Sequence, residues 1–83
     1  MAYRIVYKKS VFRDLGKMTK KEARRVLSRL EKDLTEKGDS YPPLKGKFAG
    51  LREYRVGEYR VIYAIIEADV VVLRIAHRRD IYK

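Results

Sequence analysis

The sequence predicts an α+β domain of two layers: an antiparallel sheet with an N-terminal helical pair packed on one face. Three observations predict it. Apolar residues alternate with period two at Tyr3–Lys8 and in three later runs. One long segment, Lys20–Lys37, repeats its apolar residues at helical spacing instead. The gaps between the last three runs are short enough to enforce hairpins. The order is therefore βααβββ, and the helices must bury their apolar stripe on one face of the sheet. Residues 1–83 read as a single domain, because a chain of this length carries one core.

In the first strand Tyr3, Ile5 and Tyr7 share a face. Ser10 is placed to cap a short helix carrying Val11, Phe12 and Leu15 inward and ending near Gly16. The second helix opens on Thr19-Lys20-Lys21-Glu22, the pattern in which Thr19 and Glu22 each bond the other's amide. Ala23, Val26, Leu27, Leu30 and Leu34 form its apolar stripe. Gly38 suits a left-handed residue just past the helix end. Pro42, Pro43, Gly46 and Gly50 mark Asp39–Gly50 as a loop. Strands follow at Leu51–Val56, Tyr59–Ile66 and Val70–Ala76, joined by turns at Gly57-Glu58 and Glu67-Ala68-Asp69. Tyr54, Tyr59 and Tyr63 read as packing residues. The sheet face without helices stays available to a ligand.

The net charge of +10 draws such a domain to nucleic acid, acidic protein or anionic lipid. The basic helix offers only Ala, Val and Leu on its apolar side, where a membrane-binding helix would present Trp or Phe. No segment has the length to span a bilayer or the apolar run of a signal peptide. Cysteine is absent, which removes disulfides and thiolate chemistry and agrees with a cytoplasmic setting. One histidine without cysteine argues against a transition-metal site. Phosphate loops of the Walker type, the dinucleotide-binding glycine pattern and a serine nucleophile elbow are missing too.

The basic residues change character along the chain. Of seven basic residues from Arg52 onward, six are arginine; the first fifty residues favour lysine, nine to five. Arginine is the planar fork that grips phosphate through two parallel hydrogen bonds. The arginines share this stretch with one histidine and a penultimate tyrosine, so a metal-free phosphate site is expected, provided they converge on one exposed patch. RNA supplies its own nucleophile, and its cleavage needs only a base for the 2′-hydroxyl, fixed cations for the transition state and an acid for the leaving 5′-oxygen. Arg60 is the candidate clamp, unless it pairs with Glu58 or Glu53. Arg55 shares a face with Glu53 and could equally form a cross-strand ion pair. His77 and Tyr82 are the first candidates for proton handling, ahead of Glu53 and Glu58. Arg78 and Arg79 flank His77. Lys45, Lys47, Arg52 and Arg55 complete the set expected to contact RNA.

These residues resemble the RelE/ParE superfamily of toxins from type II toxin–antitoxin systems. The resemblance rests on the βααβββ order, Leu44-Lys45-Gly46, the stretch Tyr54-Arg55-Val56-Gly57-Glu58-Tyr59-Arg60-Val61-Ile62-Tyr63, and the ending His77-Arg78-Arg79-Asp80-Ile81-Tyr82. It implies one of two activities. RelE-like members cut mRNA in the ribosomal A site without metal or cofactor and so inhibit translation; ParE-like members inhibit DNA gyrase. It also implies a cognate antitoxin, with ribosome and mRNA as further partners of a RelE-like member. By this resemblance Arg60 contacts the scissile phosphate, Arg55 holds a basic position on the preceding strand, and Arg78 or Arg79 supplies the arginine near the end of the last strand. Tyr82 stacks on RNA and assists the chemistry, and His77 resembles the histidine of members lacking a lysine pair. The sequence departs from the pattern at Glu53, where a lysine is expected and a carboxylate would repel phosphate, and in stopping after Tyr82 without a further helix. The expectation is a ribosome-dependent mRNA endonuclease, with a gyrase inhibitor as the alternative.

Overall fold

The computed structural model describes residues 2–82. Strand β1 (Arg4–Tyr7) leads into helices α1 (Lys9–Gly16) and α2 (Lys20–Lys37). Short 3₁₀ turns at Gly38–Ser40 and Gly46–Phe48 precede β2 (Arg52–Val56), β3 (Tyr59–Ile66) and β4 (Asp69–His77). The strands lie in the order β1-β4-β3-β2. The expected two layers and βααβββ order are present. The last three strands are antiparallel as expected, but β1 joins β4 in parallel, so the sheet is mixed. The helical pair is the crossover that makes a parallel partner reachable.

Helix α2 keeps the bounds its sequence predicts, because its start is fixed chemically. Thr19 and Glu22 form both bonds of the capping box. Val26, Leu30 and Leu34 are fully buried against Tyr54, Val61, Tyr63, Val70 and Val72 of the sheet. Tyr63 donates its hydroxyl to the Gly38 carbonyl at 2.6 Å, which satisfies a polar atom that burial would otherwise strand.

Two local expectations fail. Gly38 is right-handed (φ −53°, ψ −33°) rather than left-handed. Its use is steric: a Cβ there would lie 2.9 Å from Val70 Cγ2 and 3.2 Å from the Tyr3 ring. Positive φ falls instead on Gly46 and Gly50 in the loop before β2 and, at the hairpin turns, on Gly57 and Glu67. In α1 the cap position is Lys8, with no side-chain cap. Phe12 is 64% exposed, whereas Val11 and Asp14 are buried. The helix is rotated because it covers a strand edge as well as a sheet face. Strand β1 ends opposite Val72, leaving the rest of β4 without a strand neighbour on that side. Ser10 donates to the Leu73 carbonyl at 2.7 Å, and Asp14 accepts from the Ile75 amide at 2.8 Å. Both bonds satisfy groups that an open edge would leave unpaired.

Candidate functional site

The residues that alternate away from the helices on β2 and β3 include Glu53, Arg55, Arg60 and Ile62. The register sets Arg55 opposite Arg60 and Glu53 opposite Ile62. Two guanidinium groups are thereby forced together on the face the helices leave uncovered. Like charges directly opposite are unfavourable, and Glu53 resolves the conflict. Its carboxylate accepts from Arg55 Nε at 2.9 Å and from one nitrogen of Arg60 at 3.3 Å to each oxygen. The Tyr82 hydroxyl donates to the same carboxylate.

The chain after β4 brings Tyr82 there. The Arg78 amide donates to the Glu58 carbonyl at 2.8 Å, and the Asp80 and Ile81 amides donate back to the His77 carbonyl. This turn buries Ile81 and leaves Tyr82 43% exposed. The Tyr82 ring packs on Phe48, with centroids 5.2 Å apart, and Lys47 Nζ stands 5.3 Å from the Phe48 centroid.

The electrostatics follow from burial and pairing. Glu53 is only 7% exposed. Burial by itself would push its carboxyl pKa up. Hydrogen bonds from Tyr82 and Arg55 and the charges of Arg60 and Arg55 outweigh it, so the pKa lies below the ordinary value. Tyr82 moves the other way, because burial and the hydrogen bond to Glu53 raise its phenol pKa despite Arg60 nearby. At neutral pH the cluster therefore holds an ionised carboxylate and a protonated phenol within one hydrogen bond, flanked by two permanent cations.

The profile of the ParE toxin of type II toxin–antitoxin systems, parDE, matches residues 5–82. This chain belongs to that family. It is a toxin of a type II toxin–antitoxin system within the RelE/ParE superfamily. The structure of the RelBE2 toxin–antitoxin complex from Mycobacterium tuberculosis contains a similar chain, 30% identical, with a TM-score of 0.86 over 94% of this chain and 100% of that one. YafQ from E. coli strain BL21(DE3) superposes with a TM-score of 0.75 at 17% identity, covering 98% and 99%. The chromosomal ParDE system from P. aeruginosa gives 0.71 at 11% identity, covering 92% and 96%. The last two are likenesses of fold. No curated protein sequence matches the chain.

The toxin brings together some of the residues its sequence singles out and separates others. Arg55, Arg60 and Tyr82 converge on Glu53, and Lys47 is close by on the Phe48 ring. His77 pairs across the sheet with Tyr59, and both rings turn toward the helical side, 5.6 Å apart. His77 Nδ1 accepts from the Arg79 amide at 3.2 Å, and the two residues line a recess of about 290 Å³ with Asp14, Lys17 and Tyr59. His77 and Tyr82 therefore occupy different faces of the sheet. Arg78 forms an exposed ion pair with Glu58 at 2.7 Å. Arg52 donates to the Tyr41 and Asp39 carbonyls at 2.6 and 3.3 Å, tying down the loop before β2. Lys45 is exposed in that loop.

The residue weighed too lightly in the sequence is Glu53, the hub of the cluster. Its signal was present: a carboxylate two residues before Arg55, on a strand whose hairpin sets Arg55 against Arg60. Phe48 gave no signal, because nothing in a loop of two prolines and two glycines fixes where its ring points. Arg74 carries no local signal either, because its partner Asp14 lies sixty residues away.

Proposed function

We propose that this toxin is a ribosome-dependent, metal-free mRNA endonuclease held inactive by its cognate antitoxin. The observation that carries the reading is the convergence of Arg55, Arg60 and Tyr82 on the Glu53 carboxylate, on the face the helices do not cover. Such a set contains each group that 2′-hydroxyl attack needs.

Glu53, ionised, accepts the proton of the 2′-hydroxyl as its oxygen bonds to phosphorus. Arg60 and Arg55 hold the phosphoryl oxygens as negative charge grows in the transition state. The bond from phosphorus to the 5′-oxygen breaks, and Tyr82 gives its proton to that oxygen. The products are a 2′,3′-cyclic phosphate and a 5′-hydroxyl. The hydrogen bond between Tyr82 and Glu53 then carries the proton from carboxyl back to phenolate and restores the site. Arg60 uses one nitrogen on Glu53, and the Arg55 side chain is 66% exposed, so guanidinium edges remain for phosphate. His77, on the helical face, has no part in this scheme.

A second reading is gyrase inhibition. The family description, ParE toxin of parDE, favours it, and it asks nothing of a proton relay. Adding the purified toxin to a cell-free translation reaction and mapping mRNA ends by primer extension separates the two. A-site cuts with cyclic phosphate ends support the endonuclease. Intact mRNA together with blocked gyrase supercoiling supports the inhibitor and removes the scheme above.

A further inference from the structure

Beside the Glu53 cluster, the uncovered face carries a trough of about 500 Å³, within the size range of small-molecule sites. Its walls are Phe48, Leu51, Ile62, Leu73, Ile81 and Tyr82. The apolar residues of the opposite sheet face pack against α1 and α2 in the core, whereas this trough opens to solvent in a chain of net charge +10. Cations stand on its rim. Lys47 lies over the Phe48 ring, and Arg74 lines the trough while its guanidinium holds Asp14. An apolar slot walled by aromatic rings, with one ammonium and one guanidinium at its mouth, suits a flat ring that carries a negative charge. A nucleobase attached to its phosphate has that chemistry, and aromatic stacking beside a basic groove is how single strands are held without regard to sequence.

We propose that this trough seats one unstacked nucleobase of single-stranded RNA, with Phe48 as its stacking partner and Lys47 on the attached phosphate. The proposal rests on the reading of this face as an RNA site and adds a base-holding position outside the reacting groups. Phe48 is a positioning residue: it sets where the backbone lies relative to Arg60 and touches no reacting atom. The 3₁₀ turn Gly46–Phe48 aims its ring toward Tyr82, and Gly46, at φ +69°, gives that turn a backbone shape that residues with a Cβ adopt only under strain.

The test uses the intact chain with isotope-labelled methyl groups and an RNA trinucleotide blocked by 2′-O-methyl groups, which binds but cannot be cut. Ribose 5-phosphate and inorganic triphosphate serve as probes of charge without a base. The trinucleotide shifts the methyl signals of Leu51, Ile62, Leu73 and Ile81, and the two charge-only probes leave them in place. Phe48→Leu keeps an apolar wall and weakens trinucleotide binding about tenfold, and Phe48→Trp restores it. Methyl signals that ignore RNA, or follow triphosphate equally, overturn the proposal without recourse to any variant. A Phe48→Leu protein that binds as tightly as the parent also overturns it. The two readings fail separately. Cutting on ribosomes with unmoved methyls removes the nucleobase seat and keeps the endonuclease. Base-dependent shifts in a toxin that never cuts keep the seat and remove the endonuclease.

Discussion

Arg60 reaches across from β3 to place one nitrogen 3.3 Å from both carboxylate oxygens of Glu53 on β2. The pairing fixes the guanidinium before any ligand arrives, so its position is set by the fold rather than by solvent. On the proposed mechanism the carboxylate also competes with the phosphate for Arg60. On the proposed mechanism Arg60→Ala lowers the cleavage rate on the order of 10²-fold or more, since it removes charge stabilisation from the transition state. Glu53→Gln distinguishes base from competitor. As the proton acceptor, its loss lowers turnover by roughly 10²- to 10⁴-fold without weakening RNA binding. A Glu53→Gln toxin that binds mRNA-loaded ribosomes more tightly and cuts faster shows that the carboxylate only competes.

The same carboxylate sets an acid limit on stability. Its pKa in the folded protein lies below the ordinary value of 4.5 because Tyr82, Arg55 and Arg60 favour the ionised form more than burial disfavours it. The stabilisation is therefore fully present above the unfolded pKa and is lost as the pH falls through the lower, folded one. Thermal unfolding followed by circular dichroism should show the parent losing melting temperature below pH 4.5 more steeply than Glu53→Gln. Parallel curves would mean that the two arginines contribute no net stabilisation to the charged form.

At the alkaline end the relevant group is Tyr63, whose phenol is pushed up to about 12, mainly by burial. A folded pKa above the unfolded value contributes stability below pH 10, and this contribution disappears as the pH climbs through 12. Tyrosinate absorbance should therefore rise in two stages, the exposed rings first and the core rings only with unfolding. Tyr63→Phe should lessen the pH dependence of stability above pH 10. A single smooth titration at fixed fold would contradict a sealed core.

Much of the fold is legible in the sequence wherever a local chemical pattern decides it. The capping box at Thr19 and Glu22, the stripe through Leu34 and the glycine at position 57 each act within a few residues. The parallel seat of β1, the outward turn of Phe12 and the helical Gly38 are decided by contacts across the whole chain, which period and propensity do not encode. The candidate site divides along the same line. Arg55, Arg60 and Glu53 share one hairpin, so parity alone puts them on one face. Tyr82 reaches them only because the terminal turn folds back over the sheet. His77 carries no local mark of the face it takes, because the register shift in β4, between its pairing with Ile62 and with Tyr63, resets the alternation that would have placed it.

Asp14 holds the end of β4 to α1 with two bonds to the Arg74 guanidinium, at 2.9 and 3.1 Å, and one from the Ile75 amide. Asp14→Ala strands a buried amide and frees Arg74. A hydrogen bond to a charged group contributes about 1.5–3 kcal/mol, and the partly exposed arginine recovers some of its share in water. The expected loss is about 2 kcal/mol, measured by urea unfolding. Exchange of the Ile75 amide should accelerate more than exchange of amides in β2. Uniform acceleration would place the damage in global stability rather than in the α1–β4 join.

Gly38→Ala separates local propensity from packing. At φ −53° and ψ −33° an alanine is locally preferred by about 1 kcal/mol, so backbone preference alone makes the substitution stabilising. The new Cβ, however, would sit 2.9 Å from Val70 Cγ2 and 3.2 Å from Tyr3 Cδ2. Overpacking of this kind costs about 1–3 kcal/mol, and the Gly38 carbonyl is held in place by Tyr63, so the backbone cannot retreat without losing that bond. The contact should win, and Gly38→Ala should lower stability by up to about 2 kcal/mol. Val70→Ala removes the opposing methyl, so in the double variant the alanine at 38 should regain its helical advantage. The two substitutions should couple favourably by at least about 0.5 kcal/mol. Additive losses would show that the clash is relieved elsewhere, and a raised melting temperature for Gly38→Ala alone would show that helix propensity governs this position.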